Sequence, residues 1–399
     1  MIEPFLSAVP VLKRLEEAGF EAYFVGGSVR DFLLHKPISD VDIATSATPK
    51  EVKRVFPKTV DIGIEHGTVL VLFGQKSYEV TTFRTDGAYE DFRRPKEVSF
   101  IRNLTEDLKR RDFTMNAMAM DKTGQLIDPY NGQLAIKEKR IQTVGNPKDR
   151  FHEDALRIMR AVRFVSQLSF HIEEHTMRAL KELAPLLKNI AVERKKAEFD
   201  KLLIGKGWKE AITILLETNL YCYLPGLQNQ KKQIEKLLSY NSEKLTKNEM
   251  WSLLLFCLQQ DPQSTETFLR DWRFSVHDIK EILRILAYVE RRLVQEWSLY
   301  DLYKAGRATI QSVEKLFLVI NGLDEVSRIA QLLDQYDRLP IKDRKDVDVT
   351  GSDLMEWFGL NGGPWLKEML VKIEQAILAG KVRNDKQEIK EWLKPCSQN

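Results

Sequence analysis

Only three cysteines occur in the 399 residues, and Cys222, Cys257 and Cys396 stand too far apart for the paired spacing of a structural zinc site or a redox dithiol. Cys222 and Cys257 fall in apolar helical stretches and read as core thiols, so a cytoplasmic location is expected. No apolar run approaches the roughly 18 residues a membrane-spanning helix needs. The stretch Met1 to Leu15 carries Glu3 and Pro4 and no basic segment ahead of an apolar one, so no signal peptide is expected. The six histidines are scattered, and no Ser/His/Asp or Cys/His arrangement offers a nucleophile with its base. A large charge of one sign is also missing. The net charge of +3 does not by itself mark a nucleic-acid binder. Basic residues cluster locally at Arg93-Arg94, Lys109-Arg110-Arg111 and Arg157, Arg160, Arg163, and any one such cluster reads as a solvated face.

What is present is a chain with 43% hydrophobic and 30% charged residues, enough to fill more than one core across about two to four domains. The first third reads as mixed α/β. Glu21 to Val25 is a strand ending in Gly26-Gly27, Ser28 to His35 a helix capped by Ser28, and Val41 to Ala44 a second strand. Thr48-Pro49 opens a helix reaching Phe56, and Thr68 to Phe73 pairs with Ser77 to Arg84 across Gly74-Gln75. Thr85 to Glu97 is polar and reads as a long loop. From about residue 135 the apolar residues recur at helical spacing, over Glu153–Leu168, Glu173–Leu187, Val192–Leu203 and onward to Trp392, with breaks at Leu224-Pro225-Gly226, Asp261-Pro262, Leu339-Pro340 and Gly362-Gly363-Pro364. The expected class is α+β: a mixed-sheet head (1–135), then a helical neck (136–203), body (204–300) and tail (301–399).

The densest chemical signal runs from Gly26-Gly27-Ser28-Val29-Arg30-Asp31 to Asp40-Val41-Asp42. Residues two apart on a strand project together, so Asp40 and Asp42 form a pair of hard oxygen ligands suited to Mg²⁺. Two such ions can bridge an attacking hydroxyl and a leaving pyrophosphate. Glu79, on a neighbouring strand and facing opposite to Val80 and Thr82, is the candidate third carboxylate. Without Cβ atoms, Gly26 and Gly27 let backbone N–H groups approach a triphosphate, and Arg30 at the start of the following helix adds a charged contact. Alone, an Asp-x-Asp or a Gly-Gly is usually a turn; the order strand, Gly-Gly-Ser, helix, strand with Asp-x-Asp is far more specific.

That order resembles the polymerase-β-like nucleotidyltransferases. Gly26 to Thr45 is similar to the first motif of the class II tRNA nucleotidyltransferases and bacterial poly(A) polymerases. Arg110 to Ala117 is similar to their second motif, Asp128 to Gly132 to their hinge, Glu153 to Phe164 to their nucleotide-selecting motif, and Val192 to Glu198 to their last. The resemblance covers the first half of the chain, with weaker echoes at Leu224–Leu227 and Gly351–Gly380. His35, where the family often has glycine, and Asn131 and Ala135 in the hinge depart from the pattern. The resemblance implies transfer of CTP- and ATP-derived nucleotides to the 3′ end of tRNA as CCA, without a nucleic-acid template, on two Mg²⁺ ions, with Asp40, Asp42 and Glu79 catalytic. It further implies that Gly27, Arg30, Arg111, Asp154, Arg157, Arg160 and Arg163 bind the nucleotide. No protein partner is implied.

Asp154 and Arg157, three apart, are expected on one helix face, placing an acceptor beside a donor. Cytosine N4/N3 and adenine N6/N1 present the matching donor and acceptor, whereas uracil and guanine reverse them. An ordinary surface ion pair is the bland alternative. The loop with Asp86, Asp91, Arg93, Arg94 and Pro95 is similar to one that helps this family switch from C to A. The tail, with Lys367, Lys372, Lys381 and Arg383, is expected to grip tRNA by shape and backbone. The rival functions are a poly(A) polymerase, a partial enzyme adding only CC or only A, a non-catalytic RNA-binding module and a small-molecule nucleotidyltransferase. The poly(A) polymerase signature of glycine, two basic residues and phenylalanine is replaced here by Ile62-Gly63-Ile64-Glu65-His66-Gly67.

Overall fold

The computed structural model describes residues 1–394 apart from 88, 91–93, 96–97 and 243. The chain divides into two compact units, residues 1–235 with 271–273, and residues 236–270 with 274–399.

The first unit opens with α1 (Phe5–Glu17), β1 (Ala22–Val25), α2 (Gly27–Leu33), β2 (Asp42–Thr45) and α3 (Pro49–Val55). Next come β3 (Thr59–Gly63), β4 (Thr68–Phe73) and β5 (Lys76–Thr82). Among the described residues these strands join Ala119–Met120 and Leu126–Ile127 in a seven-stranded sheet, with β1 beside β2, then β5, β4 and β3. The β4–β5 hairpin turns at Gly74-Gln75 as expected, whereas edge strand β3 was not legible, because its exposed middle lacks the alternation of a half-buried strand. β2 and β5 run parallel while the other neighbours are antiparallel, so the sheet is mixed. The alternation of a strand sends Phe24, Ile43 and Val80 into one core with Phe5 and Leu12 of α1, and Val25 and Ala44 into a second with Phe83 and Leu108.

Two local expectations change. Ser28 lies inside α2, its hydroxyl donating to the Val25 carbonyl at 3.0 Å, and Gly26 takes the cap position with φ 76°. The stretch read as one long loop after β5 contains antiparallel pairs, Arg84–Asp86 with Val98–Phe100 and Tyr89–Glu90 with Arg94–Pro95. Asp91 and Arg93, singled out there, lie outside the described residues. α3 follows the sequence closely: Thr48 and Glu51 form a reciprocal capping box and Pro49 takes the first turn. His35 and Asn131, two of the departures from the family pattern, both adopt left-handed backbone (φ 52° and 58°), the region glycine reaches without strain.

After β5 the helices are α4 (Leu104–Lys109), which precedes the last two sheet strands, then α5 (Gly132–Lys137), α6 (Pro147–Glu153), α7 (Leu156–Leu168), α8 (Glu174–Glu182), α9 (Val192–Leu203) and α10 (Trp208–Glu217). α7 packs on α9 and α10. Gly205 allows the last approach, since a Cβ there would lie 2.1 Å from Ser166 Oγ. The second unit is helical in its described residues. Its helices Lys247–Leu258, Leu299–Asn321 and Gly351–Phe358 each start with a capping box. No helix among the described residues is long and apolar enough to cross a membrane.

Candidate active site

The first residue of β2 is Asp42, and Asp40 precedes the strand, so only one of the expected pair projects from regular β structure. Asp42 pairs in register with Glu79 of the parallel neighbour β5. Side chains in one row of a sheet point to the same face, and their strand neighbours Ile43 and Val80 are fully buried on the other. Asp40, Asp42 and Glu79 line one cavity of about 710 Å³ together with Gly27 and Asp31. The three are brought to one wall without closing into a tight cluster: among the described residues, the only set of three potential metal ligands within 4.8 Å of one another is His277, Asp278 and Glu281.

Asp42 and Gly27 also line a second cavity, of about 420 Å³, which holds Arg30, Arg111, Asp154, Arg157, Arg160 and Arg163. The carboxylate wall and the arginine-rich wall therefore meet at Asp42. Partial loss of solvent pushes the Asp42 carboxyl above its usual range and Asp40 adds to this, while Arg111 opposes it. Gly26 makes the meeting possible. A Cβ there would lie 3.1 Å from Arg111 Nη1 and 3.5 Å from Asp42 Oδ2, and its φ of 76° disfavours any side chain. Burial pulls the Arg111 guanidinium below its ordinary value, against the opposing pull of Asp107 and Asp42. Arg111 Nε is buried with no hydrogen-bond partner among the described residues.

The other guanidiniums are tied down. Arg30 donates to both oxygens of Asp31 at 2.9 Å and to Asn116 Oδ1 at 2.7 Å. Asn116 in turn donates to Asp112 at 3.0 Å. Arg160 grips Asp112 through Nε at 2.8 Å and Nη2 at 2.6 Å. Burial alone would raise the Asp112 carboxyl, but Arg160, helped by the Asn116 amide, holds it far below the carboxylate range. Arg163 pairs with Glu198 of α9 and lies 3.8 Å over the Phe164 ring, which Arg30 and Arg160 also approach.

The expected pairing of Asp154 with Arg157 does not form. The helix expected over Glu153–Leu168 breaks at Asp154, which leaves α6 with extended backbone (φ −140°, ψ 101°) before α7 begins at Leu156. Off the helix, three-residue spacing no longer makes neighbours. Asp154 instead accepts from Arg194 at 3.2 and 2.7 Å and from the Leu156 amide at 3.1 Å. Arg157 donates to Glu153 at 2.6 Å and to the carbonyls of Arg150 (3.0 Å) and Arg110 (2.9 Å). Both still face the same cavity. The supporting residues Asp107, Asp112, Asn116, Arg194 and Glu198 were not picked out individually. All but Asp107 sit within the motif-like blocks; Asp107 has its partners Arg110 and Arg111 three and four residues on, whereas the other four each have a partner tens of residues away in sequence, beyond any local pattern.

Comparison with known proteins agrees with this architecture. The family described as "Poly A polymerase head domain" matches residues 22–142, "Probable RNA and SrmB-binding site of polymerase A" residues 169–231, and "tRNA nucleotidyltransferase domain 2 putative" residues 243–393. A CCA-adding enzyme of Anoxybacillus flavithermus is 47% identical over 399 residues, covering 100% of this chain and 98% of that protein. One from Bacillus cereus is 46% identical over 398 residues, covering 99% and 100%. The crystal structure of the Bacillus stearothermophilus CCA-adding enzyme in complex with CTP superposes with a TM-score of 0.93 at 42% identity, over 100% of this chain and 98% of that one. On this full-length likeness, the chain belongs to the CCA-adding enzyme family of tRNA nucleotidyltransferases.

Proposed function

We propose that the two adjoining walls perform successive attacks of a tRNA 3′-hydroxyl on the α-phosphate of CTP, twice, and then of ATP. Each attack forms a new phosphodiester bond, breaks the α–β phosphoanhydride and releases pyrophosphate. The observation that carries this reading is that Asp42 is shared by a carboxylate-lined and an arginine-lined cavity.

The family uses a divalent metal, and the hard oxygens of Asp40, Asp42 and Glu79 suit Mg²⁺, in two ions. When bound, these ions lower the pKa of the attacking hydroxyl and neutralise the leaving group. The protein's own task is positioning and charge compensation. Gly26 and Gly27 keep the backbone open to the triphosphate, and Arg30 and Arg111 face its charge. Arg160 and Arg163, held by Asp112 and Glu198, flank the base or phosphates.

Selection of C and A falls to Asp154 and Arg157, now with separate anchors. A carboxylate offers about four lone-pair sites. Three donor contacts, two from Arg194 and one from the Leu156 amide, leave Asp154 one site for the amine of cytosine or adenine. Uracil and guanine would set an acceptor against that acceptor, leaving buried polar groups unpaired. On this reading residues 1–135 carry the chemistry and 136–203 the selection, with 204–300 as body and 301–399 as the tail that holds the tRNA. Its exposed Lys367, Lys372, Lys381 and Arg383 suit backbone contact. A cytoplasmic location is part of the same proposal.

The test is extension of a tRNA transcript ending just before CCA, with Mg²⁺ and CTP alone, ATP alone, both, or UTP or GTP. The expected product is CC from CTP and a terminated CCA from both. Long A tails from ATP alone would replace this reading with a poly(A) polymerase, and arrest after CC with a partial enzyme.

A further inference from the structure

The turn following α4 is a junction between the two walls. Its Arg111 faces Asp42 in the cavity, and the carbonyl of its Arg110 receives Arg157 Nη2 at 2.9 Å. The group against the phosphates and the group against the base are thus both mounted on residues 110–111. One carboxylate beneath this turn engages both of its arginines. Asp107, only 1% exposed, accepts from Arg110 Nε at 3.0 Å and from Arg111 Nη2 at 3.3 Å. It also accepts from the backbone amide of Arg84 at 3.2 Å, which ties the turn to the strand Arg84–Asp86. Asp107 does not line the cavity.

Arg111 therefore stands between two carboxylates, Asp107 behind it and Asp42 in front, and its position depends on their balance. Without the charge behind, the guanidinium is drawn towards Asp42, where it competes for a carboxylate proposed to hold a cation and leaves its place beside the proposed nucleotide. Loss of the Arg110 contact also loosens the turn whose carbonyl holds Arg157.

We infer that Asp107 is a positioning residue for nucleotide binding, acting through Arg111 by holding that guanidinium off Asp42 and fixing the turn shared with Arg157. The inference rests on Arg111 contacting the nucleotide, as proposed above, and concerns which residue sets its place.

The test is a double-mutant cycle in the full-length chain with Asp107→Asn and Arg111→Ala, singly and together. CTP affinity is measured by calorimetry, and kcat and KM for the first C addition by tRNA extension. Asn keeps the shape and an acceptor for the Arg84 amide but removes the charge. Each single change is expected to weaken CTP binding about tenfold, the scale of one charge-assisted hydrogen bond. The double variant should be no weaker than Arg111→Ala alone, and Asp107→Glu should recover part of the affinity. Thermal melting of each variant separates loss of fold from loss of binding. If Asp107→Asn is poorly folded, Asp107→Ser, which also removes the charge, replaces it in the same cycle. Additive losses, or wild-type CTP affinity in folded Asp107→Asn beside a weakened Arg111→Ala, would overturn the inference while leaving the role of Arg111 intact. Wild-type affinity in Arg111→Ala would instead remove the reading on which it rests.

Discussion

Each unit buries an arginine against a glutamate and a phenylalanine ring. In the first, Arg163 pairs with Glu198 and its guanidinium carbon lies 3.8 Å from the centre of Phe164. In the second, Arg292 donates to Glu314 at 2.6 Å and lies 3.9 Å from the centre of Phe317. The local chemistry is almost the same, and the surroundings differ. Arg163 opens on a cavity of about 420 Å³ shared with five other arginines that face it from α2, α7 and the turn after α4. Arg292 meets only a void of about 10 Å³, and its Glu314 also accepts from Trp297 Nε1 at 2.6 Å. A buried ion pair by itself thus says little about function; space for a ligand beside it, and other charges converging on that space, say more.

The largest effect should come from outside both triads. Asp42→Ala is expected to cut nucleotide addition roughly a thousandfold or more, the scale of losing a principal electrostatic group, with tRNA binding by gel shift retained. Normal addition in that variant would remove Asp42 from the chemistry and with it the junction between the cavities. The paired triads give the next effect. Arg292→Ala removes the nearest cation from the buried Glu314, leaving it Arg328 at 3.6 Å and the Trp297 indole, and should cost about 3 kcal/mol of stability by denaturant unfolding, the low end for a broken buried pair, with CTP affinity of the folded protein unchanged. Arg163→Ala should also lower stability, but must in addition weaken CTP binding; equal CTP affinity in both variants would erase the distinction.

A smaller effect concerns accuracy. Arg194→Ala frees the Asp154 carboxylate to turn, and misincorporation of UTP relative to CTP should rise about tenfold, read as a ratio of kcat/KM values. A rise in CTP KM with an unchanged ratio would make Arg194 a general support instead. The smallest is a pH dependence. Because the folded-state pKa of Asp112 is depressed, its pair with Arg160 contributes fully above the ordinary value of 3.8 and is lost as pH falls below it towards the depressed one. Acid unfolding curves should therefore be less steep below that value in Asp112→Asn than in the parent chain, and identical slopes would mean that the pair adds no stability.

Much of the site was legible because it is local. Gly26, Gly27, Asp40 and Asp42 lie within 17 consecutive residues, and strand alternation was enough to nominate Glu79. The register that sets Glu79 beside Asp42 across a parallel pair is a tertiary fact. The motif expected to select the nucleotide shows the opposite outcome. Its residues were found, but helical spacing gave the wrong partner for Asp154, since the chain leaves the helix at that position.

The sequence by itself determined the mixed α+β head, the long helical remainder, the residue types of a candidate metal- and triphosphate-binding site and the family they resemble. These follow from short-range periodicity, turn chemistry and the order of motifs. Only the tertiary structure decided which acid holds which arginine in the rest of the site: Asp112 with Arg160, Glu198 with Arg163 and Asp154 with Arg194. Two of these pairings span 48 and 40 residues. The reason is physical: a buried guanidinium must find a charge partner wherever packing brings one within reach, and that distance in space has no fixed counterpart along the chain.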